Sequence, residues 1–427
     1  MNKVIKRDGR IVDFERDKIV VAIESAMKET KYGIKHSVAE RIAKEIEAID
    51  EEYLSVEEIQ DIVEDKLMKS RCTEAAKAYI NYRYLHTMAR TSYKEFMKTI
   101  SEKLDASNVQ NQNANVDEHS FGGRIGEASN YMTSKFALDY CVSKMARDNH
   151  LNNEIYIHDL NSYAVGSHNC LSIPFDDLLA NGFNTRQTDV RPAQSIGTAF
   201  QLVAVLFQLQ SLQQFGGVSA THLDWTMVPY VRKSFSKHFK DGLKYIQNDF
   251  EQASIVPKEL SFNDRQANDY RNEKAYQYAM DMTERELKQS VEGMYHNLNT
   301  LQSRSGNQLP FTSINYGTCT LPEGRMVTKA LLEGSIEGVG KLHRTSIFPC
   351  GIFQYMKGVN DKPGTPNYDL FRLALKSTAQ RLYPNYANVD WSGNAGYDPN
   401  DPRTLFSTMG ERKLGPSSRT ACLAGVA

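Results

Sequence analysis

The sequence predicts an α/β protein, with a small N-terminal helical module carrying a β-hairpin and then a larger domain of parallel strands alternating with helices. Three observations predict it. Residues 3–14, KVIKRDGRIVDF, alternate apolar and polar residues on both sides of Asp8-Gly9, which is the pattern of a hairpin. Helical periodicity then dominates to about residue 90. Beyond residue 130, the short apolar runs PFTSINYGTCT and TSIFPCGIFQY flank a helical stretch at about 325–340, an alternation that favours parallel strands.

Bulk properties bound the function. The 427 residues are 41% hydrophobic and 24% charged, as in a soluble globular chain. At roughly 100–200 residues per domain, two or three domains are expected. A net charge of -1 gives no basic field to hold nucleic acid, so no nucleic-acid partner is expected. The greasiest stretch, AFQLVAVLFQLQSL, is broken by Gln and falls short of a membrane span. MNKVIKRDGR has no apolar signal region, and the six cysteines (72, 141, 170, 319, 350, 422) include no CxxC pair. A cytoplasmic protein with reduced thiols and no zinc ribbon or other metal site is expected.

The elements follow in order. Asp8-Gly9 suits a type I′ turn, which needs positive φ. The next helix places Ile19, Ile23 and Met27 on one face. Ser37 with Glu40 and Ser55 with Glu58 predict two capping boxes. TEAAKAYINYRYLHTMAR makes a fourth helix, closing a domain at residues 1–92. Residues 93–129 form a connector, polar and rich in Asn, Gln and Ser over 101–120. From 130 to 410 the chain is dense again. NYMTSKFALDYCVSKMARDN reads as helix and NEIYIHDLNS as a short strand. Two long helices span about 194–247 and break where Gly216-Gly217 would end the first. Residues 411–427, ERKLGPSSRTACLAGVA, carry no aromatic residue and no period. Lys3, Lys6, Arg7, Lys18 and Lys77 gather near the hairpin and helix ends, and on spacing alone they read as solvated charges.

VIKRDGRIVDFERDKIVVAI followed by AAKAYINYR resembles an ATP-cone, the allosteric module at the front of many ribonucleotide reductases. The resemblance implies that Val4, Lys6, Arg7, Asp8, Gly9 and Lys18 line an ATP/dATP effector site, with Lys77 a further candidate and Mg as the nucleotide's counter-ion. Cationic side chains neutralise a triphosphate, and a tight Gly turn lets backbone approach it.

IHDLNSYAVGSHNCLSIPFDDLLANGF, SIGTAFQLVAVLFQLQSLQQFGGVSATHLDWTMVPYV, PFTSINYGT and IFPCGIFQ together resemble the anaerobic ribonucleoside-triphosphate reductases, over residues 150 to 410. The resemblance implies that residues 130–410 are the first half of a ten-stranded α/β barrel. It implies reduction of ribonucleoside triphosphates to 2′-deoxy products by radical chemistry. A glycyl radical would oxidise a cysteine on a finger loop, a second cysteine would supply hydrogen to the other sugar face, and formate would be the usual reductant. Cys170 matches that second cysteine. Without the resemblance it reads as a small buried hydrophobe, as most such cysteines do. His158 matches a position near the substrate, with a structural histidine as the equal alternative. Cys350 reads as core. The resemblance further implies a homodimer through the 194–247 helices and a radical-SAM activating enzyme as partner.

In that family a Met-Gly precedes the radical cysteine. Met409-Gly410 stands at that place, followed here by Glu411-Arg412. The expectation is that residues 411–427 are not reductase sequence but read-through into an intervening sequence or past a frameshift. The chain is then an incomplete N-terminal fragment without the radical cysteine, the zinc-binding cysteines and the glycyl loop, which a second polypeptide would supply. The alternative is an inactive nucleotide-binding fragment.

Overall fold

A computed structural model describes residues 3–106, 119–166, 170–185, 187–214, 216–302, 308–390, 398, 401, 404–405, 407–408 and the backbone of 414–415. The chain forms two compact units, Met1–Glu102 and Lys103–Ala427.

The first unit begins with β1 (Lys3–Ile5) and β2 (Ile11–Asp13), paired antiparallel with Val4 opposite Val12. Helices α1 (Arg16–Lys28) and α2 (His36–Glu47) follow. A third strand, β3 (Tyr53–Ser55), pairs parallel with β1, giving the order β2-β1-β3. Its three residues are too few to show a period, which is why the sequence reading missed it. Helices α3 (Val56–Lys69) and α4 (Thr73–Asp105) complete the unit. Ile19, Ile23 and Met27 are all buried, as their spacing predicts, against Ile42, Ile46, Val63 and Leu67.

Of the two expected capping boxes one forms. The Ser55 hydroxyl accepts the Glu58 N–H (3.2 Å), and Glu58 accepts the Ser55 N–H (2.7 Å). Ser37 does not cap. α2 starts two residues earlier than a Ser37 cap would place it, because the Lys35 carbonyl already accepts the N–H groups of Val38 (3.0 Å) and Ala39 (3.3 Å). α4 outruns its expected end near residue 90 and continues to Asp105. No Gly or Pro interrupts residues 73–105, so nothing there opposes helix propagation. The expected connector therefore opens as helix, and it closes as helix in α5 (Phe121–Phe136). Residues 107–118, the rest of its polar stretch, lie outside the described residues.

The second unit continues through a π-helical segment (Ala137–Cys141), α6 (Lys144–Leu151) and α7 (Leu160–Tyr163). The strand expected in NEIYIHDLNS is a turn. The Ile157 N–H donates to His150 Nδ1 (3.2 Å) and Asp159 takes a left-handed φ of 62°, so this stretch folds back on α6. Next come β4 (Leu171–Ser172), α8 (Phe175–Asn181), β5 (Phe183–Asn184), β6 (Asp189–Val190) and α9 (Ile196–Ser211). α9 ends at Ser211, before the glycines, and Gly217 leads straight into β7 (Val218–Ala220), a strand the sequence reading did not expect. Helices α10 (Leu223–Thr226), α11 (Val228–Tyr245), α12 (Phe250–Ile255) and α13 (Glu273–Thr300) follow. Then come β8 (Thr312–Tyr316), α14 (Pro322–Glu337), β9 (Cys350–Tyr355), α15 (Tyr368–Arg381), β10 (Asn385–Asn388), β11 (Ser407–Thr408) and β12 (Leu414–Gly415).

The main sheet has the order β10-β9-β8-β7-β4, and every neighbouring pair is parallel, as the alternation predicts. Successive side chains on a strand point to opposite faces. One face carries Val218, Ala220, Ile314, Tyr316 and Phe353 into a large core with α9, α11, α13 and α14. The apolar stripes of α9 and α11 are buried there, within the chain itself. Gly351 lies on this face because a Cβ there would stand 2.7 Å from the Tyr316 hydroxyl.

Candidate functional site

The sheet's other face is polar over β4, β7 and β8 and apolar at Ile352 and Ala387. Register aligns Ser172 with Ser219, Ser219 with Ser313, and Ser313 with Cys350 across four strands. Asn315 and Gln354 share this face by period-2 alternation, and Ser219, Ser313, Asn315 and Gln354 are all buried. The Asn315 amide donates to Ser219 Oγ (3.1 Å) and to the Ala220 carbonyl (2.9 Å). It also donates to the Thr408 carbonyl (3.0 Å), while its oxygen accepts the Thr408 N–H (3.2 Å). One side chain thus pairs with both backbone groups of Thr408. Leu405 packs nearby on Ile352, Ala387 and Val389, so Leu405 and Thr408 lie over this face.

Cys170 stands one residue ahead of β4, and alternation puts it on the same polar face as Ser172. It is 8% exposed. Three preceding residues of its motif, Ser167-His168-Asn169, lie outside the described residues, as do Met409-Gly410. His158 is in a different environment. It sits on the turn before α7 with its side chain 74% exposed, and its Nδ1 lies 2.5 Å from Asp159 Oδ1. Cys350, read as core, closes the serine row, half-buried, with its sulfur 3.6 Å from the Tyr383 hydroxyl.

At the C-terminal ends of β4 and β7, where open α/β sheets bind ligands, stands a network the sequence reading missed. His222 Nε2 meets Asp176 Oδ2 (2.7 Å), its Nδ1 meets the Thr221 hydroxyl (2.6 Å), and Thr226 donates to Asp176 Oδ1 (2.6 Å). A signal was available. LSI, VSAT and TSINY alternate small polar with apolar residues, as a sheet with one polar face requires.

In the first unit the hairpin loop differs from the expected two-residue turn. The Gly9 N–H donates to the Lys6 carbonyl (2.9 Å) and the Lys6 N–H to the Arg10 carbonyl (2.8 Å). Gly9 has φ +81°, whereas Asp8 is not left-handed. This is a turn closed by one left-handed glycine, the three-residue hairpin geometry. Asp8 is engaged by Arg10, which donates from its backbone (3.1 Å) and its Nε (2.8 Å) and holds the Asp8 carboxyl below its ordinary range. Arg7 reaches Glu57 (2.5 Å) and Gln60 (3.0 Å) on α3. Lys18 pairs with Glu15 (2.6 Å). Val4 is buried under the hairpin, while Lys77 is exposed on α4.

Between α1 and α4 opens a cavity of about 580 Å³. Val21, Ala22, Ala26, Ala78 and Tyr79 give it apolar walls, and Lys18, Gln60 and Arg83 give it polar ones. Burial pushes the Tyr79 phenol up to about 12, so it stays neutral. Arg83 was not singled out in the sequence. It donates to Asp61 (2.5 Å), Glu57 (2.8 Å) and Glu64 (2.9 Å).

Among the described residues, no group of three or more His, Cys, Asp or Glu stands placed to hold a metal ion. No helix of the described residues is long and apolar enough to cross a membrane.

The fold and site define an α/β protein with a buried thiol on a polar sheet face, preceded by a module with a cationic hairpin. Comparison with known proteins narrows this. Residues 112–415 match the family described as anaerobic ribonucleoside-triphosphate reductase, and residues 2–88 match the ATP cone domain. The chain belongs to the anaerobic ribonucleoside-triphosphate reductase family. It is 30% identical over 394 residues to the anaerobic ribonucleoside-triphosphate reductase of Haemophilus influenzae, covering 91% of this chain and 52% of that protein. The Escherichia coli protein of the same name is 27% identical over 393 residues, covering 91% and 51%. The chain thus spans about half the length of the curated relatives it matches. A solved anaerobic ribonucleotide reductase of Thermotoga maritima, in complex with dATP and CTP, aligns with a TM-score of 0.45 at 14% identity, covering 73% of this chain and 51% of that one.

Proposed function

We propose that the chain supplies the effector module and the Cys170-bearing part of a ten-stranded barrel for anaerobic reduction of ribonucleoside triphosphates to 2′-deoxyribonucleoside triphosphates. The observation that carries this is a thiol buried on a polar sheet face in a chain of this family. Cys170 gives a hydrogen atom to one face of the ribose, with Ser172 beside it on the same sheet face. His158 stands as a proposed substrate-side residue. The glycyl radical, the thiyl cysteine, zinc, formate and the radical-SAM activating enzyme belong to the complete reaction and come from outside the residues described. In the first unit, Lys6, Arg7 and Lys18 meet the triphosphate of ATP or dATP with its Mg counter-ion, over the turn made by Asp8 and Gly9 and floored by Val4. Lys77 lies further out. The α1–α4 cavity is within the 300–1,000 Å³ range, roughly, that holds a small ligand.

The test combines this chain, without oxygen, with a polypeptide carrying the radical cysteine and glycyl loop and with the activating enzyme. Deoxyribonucleotide formation that vanishes in Cys170→Ser, with nucleotide binding intact, supports the reading. Unchanged turnover in that variant refutes it. A cytoplasmic homodimer is the assembly this reading includes, and a monomeric mass in light scattering at micromolar concentration would refute that part.

A further inference from the structure

Glu57, the second residue of α3, holds two arginines with one carboxylate. Its Oε1 accepts from Arg7 Nε (2.5 Å) and its Oε2 from Arg83 Nη2 (2.8 Å). Gln60, one turn further along α3, accepts from the other arm of Arg7 (3.0 Å). Arg83 is also shared, with Asp61 (2.5 Å) and Glu64 (2.9 Å). The Glu57 and Arg7 side chains are 47% and 38% exposed, so a soluble anion can reach the pair. A carboxylate near a helix N-terminus stays ionised. Burial alone would raise the Glu57 carboxyl, but its bonds to Arg83 and Arg7 bring it below its ordinary range.

We propose that Glu57 is a built-in competitor for the effector's phosphates, occupying the Arg7 guanidinium until a triphosphate displaces it, with Arg83 setting how readily Glu57 lets go. The proposal rests on the reading that Arg7 meets the triphosphate. Glu57 and Gln60 each take one N–H of the Arg7 fork. A phosphate, which a guanidinium binds through two N–H groups at once, competes with Glu57 for the charged half of that hold. Arg83 pulls the same carboxylate toward α4. It thereby weakens the hold on Arg7 and keeps the site open to phosphate.

The experiment is calorimetric titration of the intact chain with ATP and, separately, with adenosine. Glu57→Gln keeps size and removes the charge. Exposed ion pairs are worth ~0.2–1 kcal/mol, so this variant is expected to bind ATP roughly threefold tighter, with adenosine unchanged. Arg83→Gln leaves Glu57 to Arg7 alone and is expected to weaken ATP by a similar factor. The double variant should match Glu57→Gln, because without the carboxylate Arg83 has nothing to set. Asp61→Asn removes the same charge from the same helix and touches Arg83 but not Arg7, so ATP affinity should hold. Equal tightening in Asp61→Asn and Glu57→Gln would reduce the effect to general charge and overturn the proposal, as would tighter adenosine binding or an unmoved Arg83→Gln. A chain that does not bind ATP, or binds it equally well after Arg7→Ala, overturns both this proposal and the effector reading. Binding that needs Arg7 and ignores Glu57 overturns this proposal alone.

Discussion

Asp224 is fully buried, and its carboxylate accepts the backbone N–H groups of Gly317 (2.8 Å), Cys319 (3.0 Å) and Trp225 (3.0 Å). Asn360 and Asn367 donate to the carbonyls of the same loop, so residues 317–319 are pinned at the end of the central strand β8. Removing the acceptor leaves several buried donors bare. Asp224→Ala is therefore expected to lower the urea-unfolding free energy by about 3–5 kcal/mol, and Asp224→Asn, which keeps one oxygen, by about half as much. A loss below about 1 kcal/mol in the alanine variant would contradict the role. Glu286 on α13 works across three helices. It accepts from the Gly197 N–H (3.2 Å) at the start of α9, from Ser234 (3.1 Å), and pairs with His238 (2.8 Å) on α11. Burial alone would raise this carboxyl, but the bonds from His238, Gly197 and Ser234 hold it below 4.5. A depressed carboxyl contributes stability that is present above its unfolded value and lost as pH falls through the folded one. Urea midpoints of wild type should thus drop on acidification below 4.5, and those of Glu286→Gln should drop less. Parallel pH curves would rule this out.

At the scale of elements, the two serines expected to cap helices separate sharply. Ser55→Ala deletes a formed capping box and should cost about 1 kcal/mol, whereas Ser37→Ala, inside the first turn of α2, should stay within about 0.5 kcal/mol. Equal losses would put the start of α2 at Ser37 after all. Elements with several turns were legible because periodicity accumulates over length. α1 and the β8–α14–β9 alternation were readable from residues such as Ile19, Ile23 and Met27. β3, β7 and the turn at Ile157–Asp159 were not. Three-residue strands carry too little pattern, and their identity comes from partners far along the chain, as when Val218 finds Thr312. The site divides the same way. Cys170 was found through a motif resemblance, but the Ser172–Ser219–Ser313 row exists only once register aligns three distant segments. Arg83 lay inside a quoted helix, and its three acidic partners on α3 emerge only in three dimensions.

At the scale of the whole chain, each unit carries its own core, Ile23, Met27 and Val63 in one and Phe207, Phe235 and Phe353 in the other. Units with separate cores can unfold as separate cooperative transitions. A ligand that binds the folded state of one unit stabilises that unit by mass action, by about 2.7 kcal/mol at a hundred times its dissociation constant. For a domain of roughly 100 residues this raises the midpoint by on the order of 10 °C. Scanning calorimetry of the intact chain is therefore expected to show two transitions, with saturating ATP moving the first unit's transition and leaving the other in place. The Arg7→Ala variant should erase that shift without altering the scan in the absence of ATP by more than a few degrees. A single transition, or one in which ATP moves both components together, would overturn the expectation that the units unfold separately.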